Sequence, residues 1–257
     1  MLDFDGTLSL IREGWQGIMV PYFTDELWKA PGAKRFSREE IELRVKEFVT
    51  LLTGKQTIYQ CIRLTEEIMT LDGTPEDPQV YKDEYQRRLL AHIDHRLQGL
   101  REGTIKPETL TVPGSYALLD MLAAHGVTPY LASGTDEVFV KEEAHLLGLD
   151  KYFGDHIYGA QRAYRTFSKK MVIERMLREN HLSGDMLLGF GDGYVEIENV
   201  CAVGGFAVGV ASNESTRCGV DEWKRERLMR AGAHVIVPDY RDIAELEALL
   251  FPAEGRL

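Results

Sequence analysis

The chain has 257 residues, of which 44% are hydrophobic and 28% charged, and its net charge is −11. This composition is typical of a globular protein with a sizeable core, and no apolar run approaches the roughly 18 residues of a membrane span. The negative charge disfavours a nucleic-acid partner, and three widely spaced cysteines without a CxxC pair indicate neither a disulfide framework nor a zinc site. Because no secretion signal is recognisable, we expect a cytoplasmic protein.

Two aspartates, Asp3 and Asp5, stand near the start of the chain, and a glycine follows them. Alternate side chains of a strand point to opposite faces, so a strand here would project both carboxylates the same way, with Phe4 buried behind them. Two crowded carboxylates indicate a cationic partner, and a hard ion such as Mg²⁺ prefers oxygen ligands of this kind. The alternative interpretation is an acidic turn after a short strand.

This first strand is unusually short. Only Met1 and Leu2 precede Asp3, whereas a central strand usually has about five residues. We therefore expect the natural chain to begin further upstream, and a form extended by that segment to be more stable and more active.

The next part of the chain, from residue 11 to residue 103, is predicted to be helical throughout. Ser37 followed by two glutamates is a helix start signal, and apolar residues then recur at helical spacing up to Gly54. Pro21 is expected to interrupt the earliest of these helices. The predicted helices cover about residues 11–28, 37–54, 57–73 and 78–103.

Beyond Pro107, short apolar strands alternate with helices, which is typical of a parallel, doubly wound sheet. The predicted strands lie at residues 127–132, from 157 onward, 186–190, 207–211 and 234–237. The predicted helices lie at residues 114–126, 137–147, 169–179, 197–203, 223–230 and 243–250, and the helix 223–230 is interpreted as solvated. We therefore predict an α/β fold: a doubly wound sheet domain of residues 1–10 and 105–257, with a smaller all-helical domain, residues 11–104, inserted after the first strand.

Polar residues stand where the predicted strands end, which is where open parallel sheets bind their ligands. The first strand ends in the two aspartates, the second in Ser133-Gly134-Thr135, and a later one in Asp192, with Glu196 nearby. Lys169 or Lys170, at a helix start, would add a cation where the helix dipole also favours anions. Together these residues predict a site for a phosphate group and a metal ion.

In this order, the same residues resemble the four motifs of the haloacid dehalogenase (HAD) superfamily. The segment DFDGTLS resembles the first motif and SGT the second, while the lysine of FSKKMVIERM and the segment GFGDGYVEIENV resemble the third and fourth. The resemblance covers about residues 1–10 and 105–250, and the helical insertion matches in position and helix count. It implies a Rossmann-like core with a helical cap inserted after the first strand.

The resemblance also implies a role for each matching residue. Asp3 would be the nucleophile that forms an aspartyl-phosphate, and Asp5 would protonate the leaving group and later activate water. Ser133, the amide of Gly134 and the charge of Lys169 would hold the transferring phosphoryl group. The implied ligands of Mg²⁺ are Asp3, Asp5 through its backbone carbonyl, Asp192 and, through water, Glu196.

The choice between the two adjacent lysines depends on the residues that follow them. Lys169 is favoured because the apolar residues after it stand at the offsets seen after the family's lysine, and Lys170 remains the alternative.

An aspartate at position 5 narrows the reaction classes that the resemblance implies, because the family's dehalogenases, phosphonate-cleaving enzymes and ion pumps have other residues there. The resemblance then implies a Mg²⁺-dependent phosphatase that hydrolyses a small phosphorylated metabolite, with a sugar or polyol phosphate as the leading class. A mobile cap suits small substrates, because its closure excludes bulk water and macromolecules. The alternatives are a sugar-phosphate phosphomutase and a catalytically idle binding or regulatory module. Nothing in the sequence sets an oligomeric state.

Two residues outside the motifs are candidate substrate contacts. Arg12 follows the first motif, where the chain enters the helical insertion. Lys55 belongs to the segment GKQT, which resembles the end of a nucleotide-binding P-loop, although Val49 stands where the first glycine should be. The simpler interpretation is a helix stop followed by the next helix start, with Lys55 on a turn that could face the site.

Overall fold

The computed structural model describes residues 1–252, so residues 253–257 of the predicted core domain lie outside the described part. The chain separates into two compact units, Met1–Glu13 with Arg96–Leu257, and Gly14–His95. Both boundaries drawn from the sequence, 10/11 and 104/105, fall inside the first of these units.

The second unit is all-helical. Its helices are α1 (Trp15–Trp28), α2 (Arg38–Leu51), α3 (Thr57–Thr70) and α4 (Pro78–Arg101), whose last turns continue into the first unit. A capping box starts α2, because Ser37 Oγ accepts a bond from the amide of Glu40, and the Glu40 carboxylate accepts one from the amide of Ser37.

The predicted interruption of α1 at Pro21 is wrong, since Pro21 lies inside a continuous helix. Proline removes one backbone donor, but the helix is held by burial of a large apolar face. Phe23 is fully buried and stacks on Phe48 of α2, with the ring centroids 6.1 Å apart.

A parallel sheet forms the centre of the first unit. Its strands are β1 (Leu131–Asp136), β2 (Ile157–Ala160), β3 (Leu188–Gly191), β4 (Phe206–Val210) and β5 (Val235–Val237). β1 pairs with β2, β3 pairs with β4, and β4 pairs with β5, in each case in parallel. Leu2 lies between the two groups and bridges both Leu131 and Phe190. The spatial order is therefore β2, β1, the Leu2 segment, β3, β4 and β5, which confirms the predicted α/β class.

Seven helices of the described chain accompany this sheet in sequence. They are α5 (Ser115–Ala124), α6 (Glu137–Leu146), α7 (Asp150–Phe153), α8 (Lys169–Glu179), α9 (Tyr194–Ala202), α10 (Glu222–Arg230) and α11 (Ile243–Leu250). Ile173, Ile197 and Leu228 from three of them pack in one buried cluster with Ala132 and Ala207 of the sheet. Among residues 1–252, no helix combines the length and the apolar character needed to cross a bilayer.

The predicted first strand is reduced to bridges at Leu2. Its amide donates to the carbonyl of Tyr130 at 2.7 Å, and its carbonyl accepts from the amide of Ala132 at 3.0 Å. On the other side, the amide of Asp3 donates to the carbonyl of Phe190 at 3.0 Å. These bonds place Asp3 at the carboxyl edge of the sheet, between β1 and β3.

Two element starts differ from the prediction. β1 begins at Leu131 instead of residue 127, because its ladder forms only where Ile157 and Leu2 come alongside. Helix α9 begins at Tyr194 instead of residue 197, directly after Gly193, so that Glu196 lies in its first turn. The remaining predicted strands and helices agree with the structure to within about four residues, with α1 beginning at Trp15 instead of residue 11, whereas the short helix α7 was not predicted.

The segment after the first motif pairs with the segment that returns from the helical unit. The amide of Leu10 donates to the carbonyl of Leu110 at 2.8 Å, and the amide of Val112 donates to the carbonyl of Leu8 at 3.0 Å. The buried hydroxyl of Tyr240 donates to the carbonyl of Thr7 at 2.9 Å. The loop that carries the two aspartates is thus fixed on both sides by backbone bonds.

Candidate active site

Asp3 is buried, and an ammonium group lies beside it. Lys169, the first residue of α8, places its Nζ 2.8 Å from Asp3 Oδ1 and also contacts Glu196 of α9. Burial raises the pKa of Asp3 to about 6; the Lys169 charge opposes this shift, and the charges of Asp192 and Asp5 add to it. We call Asp3, Lys169 and Glu196 the Lys169 centre.

The two adjacent lysines of α8 have very different surroundings. Ser168 caps the helix, with its Oγ accepting a bond from the amide of Met171 at 3.1 Å, and this fixes the direction in which the first turn points. The Lys169 side chain is 4% exposed, whereas that of Lys170 is 66% exposed and lies 3.8 Å from Glu174. Of the pair, Lys169 is the one that faces the carboxylates.

Asp5 is partly exposed and is held by hydroxyl groups. Thr135 Oγ1 donates to Asp5 Oδ2 at 2.8 Å, and Ser133 Oγ donates to the same oxygen at 3.3 Å. Asp5 Oδ1 is buried and has no hydrogen-bond partner among residues 1–252, and Arg12 Nε lies 3.9 Å from it. One carboxylate oxygen is therefore anchored, and the other is left for a ligand.

Arg12 lies next to Asp5 and is bound by a carboxylate that the sequence analysis did not identify. Its Nε lies 3.0 and 3.1 Å from the two carboxylate oxygens of Glu143, and its Nη2 lies 2.6 Å from Oε1. Burial raises the pKa of Glu143, and the guanidinium opposes this rise. Glu143 is one of several acidic residues on α6, and nothing in the sequence distinguishes it as the one that faces inward. Substrate binding by Arg12 stays a prediction.

A second buried lysine, Lys224 of α10, holds the acidic residue of the fourth motif. Its Nζ lies 2.8 Å from Asp192 Oδ2, 2.6 Å from Glu214 Oε1 and 3.2 Å from Ser212 Oγ. Burial lowers the pKa of Lys224, but the charges of Asp192 and Glu214 outweigh it and leave the pKa above its usual value. We call Asp192, Glu214, Ser212 and Lys224 the Lys224 centre. The interpretation of residues 223–230 as a solvated helix is wrong at this position.

The glycine of the first motif allows Asp192 to approach the motif closely. Gly6 has a φ of +74°, and a Cβ on it would lie 2.3 Å from Asp192 Oδ2. The carbonyl of Gly6 accepts a bond from Ser212 Oγ at 2.7 Å, and Thr7 Oγ1 accepts one from the amide of Asp192 at 3.0 Å. The first and fourth motifs are thus packed together through a position that only glycine fits.

The donor set fits a hard divalent cation. Carboxylates outnumber ammonium groups in the two lysine centres, Asp5 Oδ1 lacks a partner within residues 1–252, and Asp5 and Asp192 both raise the pKa of Asp3. Within the described chain, no three acidic, histidine or cysteine side chains converge closely enough to hold an ion. Asp3, Asp5 and Asp192 are the residues that would hold Mg²⁺. Glu196 faces Lys169, and binding of the metal by Glu196 through water stays a prediction.

Lys55 belongs to the helical unit, and its side chain is exposed. It lies on the turn between α2 and α3, after Gly54, which has a φ of +93°. A P-loop glycine follows a strand, whereas Gly54 follows a helix, which favours the simpler interpretation of a helix stop. Substrate contact by Lys55 stays a prediction.

The matched part of the chain contains the first three motifs and the fourth up to Glu198. The family model described as haloacid dehalogenase-like hydrolase covers residues 1–198. The chain belongs to this family. In this HAD-type hydrolase, the buried aspartate and lysine of the Lys169 centre are Asp3 and Lys169, which stand in the segments that resemble the first and third motifs.

Three solved structures share this HAD fold over nearly the whole of both chains. A predicted phosphatase from Clostridium acetobutylicum is 20% identical, with a TM-score of 0.59 and coverage of 98% of this chain and 97% of that chain. A predicted phosphoglycolate phosphatase from Haemophilus somnus is 17% identical, with a TM-score of 0.58 and 95% coverage of each chain. A β-phosphoglucomutase from Clostridium difficile is 14% identical, with a TM-score of 0.57 and coverage of 97% and 96%. At these identities the likeness shows the fold alone, and no curated protein matches the chain.

Proposed function

We propose that this HAD hydrolase is a Mg²⁺-dependent phosphatase that acts on a small phosphorylated metabolite. The observation that carries the proposal is the pairing of two different carboxylates at one sheet edge. Asp3 is buried against the Lys169 ammonium, and Asp5 is partly exposed and held by hydroxyls. One environment suits a nucleophile, and the other suits a group that gains and loses a proton.

The proposed reaction has two steps. In the first, Asp3 attacks phosphorus, the bond from phosphorus to the ester oxygen breaks, and Asp5 gives its proton to the departing alkoxide. In the second, a water molecule gives a proton to Asp5 and attacks the aspartyl-phosphate, which releases inorganic phosphate and restores Asp3. Lys169, Ser133 and the amide of Gly134 would hold the phosphoryl oxygens. When bound, Mg²⁺ would supply positive charge that stabilises the transferring group.

The family and the names of its structural relatives support the proposed substrate class. The solved relatives include a predicted phosphoglycolate phosphatase and a β-phosphoglucomutase, whose names refer to small phosphorylated metabolites. A sugar or polyol phosphate is therefore the leading class. The β-phosphoglucomutase also favours a second candidate function, an intramolecular phosphomutase with the same residues. Cytoplasmic location stays a prediction from the sequence.

A phosphate-release assay tests the proposal. The protein is incubated with p-nitrophenyl phosphate and with a panel of sugar and polyol phosphates, in Mg²⁺ and in EDTA. We expect free phosphate that depends on Mg²⁺, no turnover by Asp3→Asn, and a loss of roughly 10²- to 10⁴-fold in Asp5→Asn with alkyl esters, because proton transfer contributes about that much.

Two results would contradict the phosphatase assignment, and a third would contradict its mechanism. Isomerised sugar phosphate without free phosphate would favour the phosphomutase. No turnover with any divalent ion would favour a binding or regulatory module. Near wild-type activity of Asp3→Asn would exclude the covalent mechanism.

A further inference from the structure

Thr135 donates the shortest hydrogen bond to the carboxylate of Asp5. Its Oγ1 lies 2.8 Å from Asp5 Oδ2, against 3.3 Å for Ser133 Oγ. It lies near the carboxyl end of β1, in the irregular stretch of the ladder between Ala132 and Asp136. The resemblance to the second motif implies no role for this hydroxyl.

Ser133 cannot serve Asp5 and the substrate at once. A serine hydroxyl has a single proton to donate, and in the proposed reaction Ser133 donates it to the phosphoryl group. Ser133 Oγ also accepts a bond from the amide of Thr135 at 3.0 Å, but this bond uses a lone pair and leaves the single proton for one acceptor only. When Ser133 turns to a substrate, Thr135 is the hydroxyl that still holds Asp5.

The bond from Thr135 fixes one oxygen of the Asp5 carboxyl group and thereby the orientation of the group. Thr135 occupies Oδ2, whereas Oδ1 is buried and accepts no hydrogen bond within residues 1–252. Arg12 Nε, 3.9 Å from Oδ1, is beyond hydrogen-bond distance.

We propose that Thr135 is a positioning residue that anchors Asp5 through Oδ2, so that the carboxyl group keeps the orientation in which it delivers its proton to the leaving-group oxygen. This inference rests on the proposed phosphatase function. Loss of the anchor would let the Asp5 carboxyl group rotate, and the proton would then be misplaced in the step that needs it. The effect should therefore depend on how strongly the leaving group needs a proton.

Two esters separate this role from a structural one. p-Nitrophenolate is a stable anion that departs without a proton, whereas the alkoxide of glycerol 2-phosphate must be protonated. For Thr135→Val, which removes the hydroxyl and keeps the shape, we expect kcat to fall roughly 10- to 100-fold on glycerol 2-phosphate. On p-nitrophenyl phosphate we expect a change of less than about threefold. Thr135→Ser restores the donor, and its kcat should stay near the wild-type value on both esters.

The controls use the same substitution elsewhere and the proposed acid itself. Thr166→Val removes an exposed hydroxyl that bonds the carbonyl of Ala163 at 2.7 Å, and it should change neither rate. Asp5→Asn should show the same selective loss as Thr135→Val, to a greater degree. Thr135→Ala replaces the valine variant if thermal unfolding shows that valine prevents folding.

The failures of the two proposals are distinguishable. Equal losses on the two esters, or a Thr135→Ser variant as impaired as Thr135→Val, would overturn the positioning role while the phosphatase function stands. A wild-type protein that hydrolyses neither ester would overturn the phosphatase function, and the positioning role with it.

Discussion

The two lysine centres are built from the same ingredients, yet they bury their carboxylates to different depths. In the Lys169 centre the side chains of Asp3 and Glu196 are 7% and 1% exposed, and burial raises the pKa of Asp3 to about 6 despite the ammonium group. In the Lys224 centre the side chains of Asp192 and Glu214 are 14% and 22% exposed; burial also raises the pKa of Glu214, whereas the pKa of Lys224, which burial lowers, is raised overall by the two carboxylate charges. The deeper burial of the first centre suits a reactive group, whereas the more exposed second centre suits an anchor.

The largest effect is expected from removing the ammonium of the Lys169 centre. Lys169→Met should lower kcat/KM for p-nitrophenyl phosphate by about 10³-fold, because a fixed charge on the phosphoryl oxygens is lost. Lys170→Met, the matched control on the neighbouring exposed residue, should stay within twofold, which steady-state kinetics would show. If the Lys170 variant were the impaired one, the wrong lysine has been assigned to the site.

Removing the ammonium of the Lys224 centre should mainly affect stability. Lys224→Met leaves Asp192 and Glu214 facing each other without a cation, and we expect a loss of about 3 kcal/mol in the free energy of unfolding. Urea unfolding of the metal-free protein at pH 7 measures it. The control is Arg225→Met, whose side chain is exposed and pairs with Glu222 on the surface. A loss below about 1 kcal/mol would show that Lys224 is not the anchor of this region.

The smallest effect concerns the pKa of Asp3. Because its folded-state pKa lies above the unfolded value, the folded state binds more protons between about pH 4 and 6, so this group lowers stability as the pH rises through that window. Asp3→Asn should therefore stabilise the metal-free protein at pH 7 by roughly 2 to 3 kcal/mol, with the gain vanishing near pH 4. Thermal unfolding across that range would reveal it, and a destabilised variant at pH 7 would mean that Lys169 fully compensates the buried charge.

Local patterns made most of the fold predictable. The capping box at Ser37 is a signal within four residues, and the strands after Pro107 are short apolar runs bounded by turns, so both could be read from neighbouring residues. Pro21 misled the prediction because proline opposes a helix locally, whereas burial of the α1 face is set by other helices. The start of β1 was misplaced for a similar reason, since strand ends depend on when a partner arrives.

The motifs predicted the site residues Asp3, Asp5, Ser133, Lys169 and Asp192, whereas no motif indicated the partners Lys224, Glu214 and Glu143. Lys224 stands in the charge-rich segment EWKRERLMR, where its neighbours are solvated, and only the approach of Asp192 and Glu214 buries it. The partner of Arg12, Glu143, is 131 residues away in sequence. Thr135 belongs to the segment that resembles the second motif, but its bond to Asp5 depends on how two distant chain segments meet. Long-range ion pairs of this kind have no period or spacing to detect.

Backbone bonds between Leu8 and Val112 and between Leu10 and Leu110 join the two ends of the helical insertion inside the sheet unit. For an insertion closed in this way, the entropy cost of bringing its ends together grows only slowly with its length. Insertions of other lengths are therefore tolerated at this position at little cost to the two aspartates next to it. Evolution can change what such an enzyme recognises while its reacting groups stay in place.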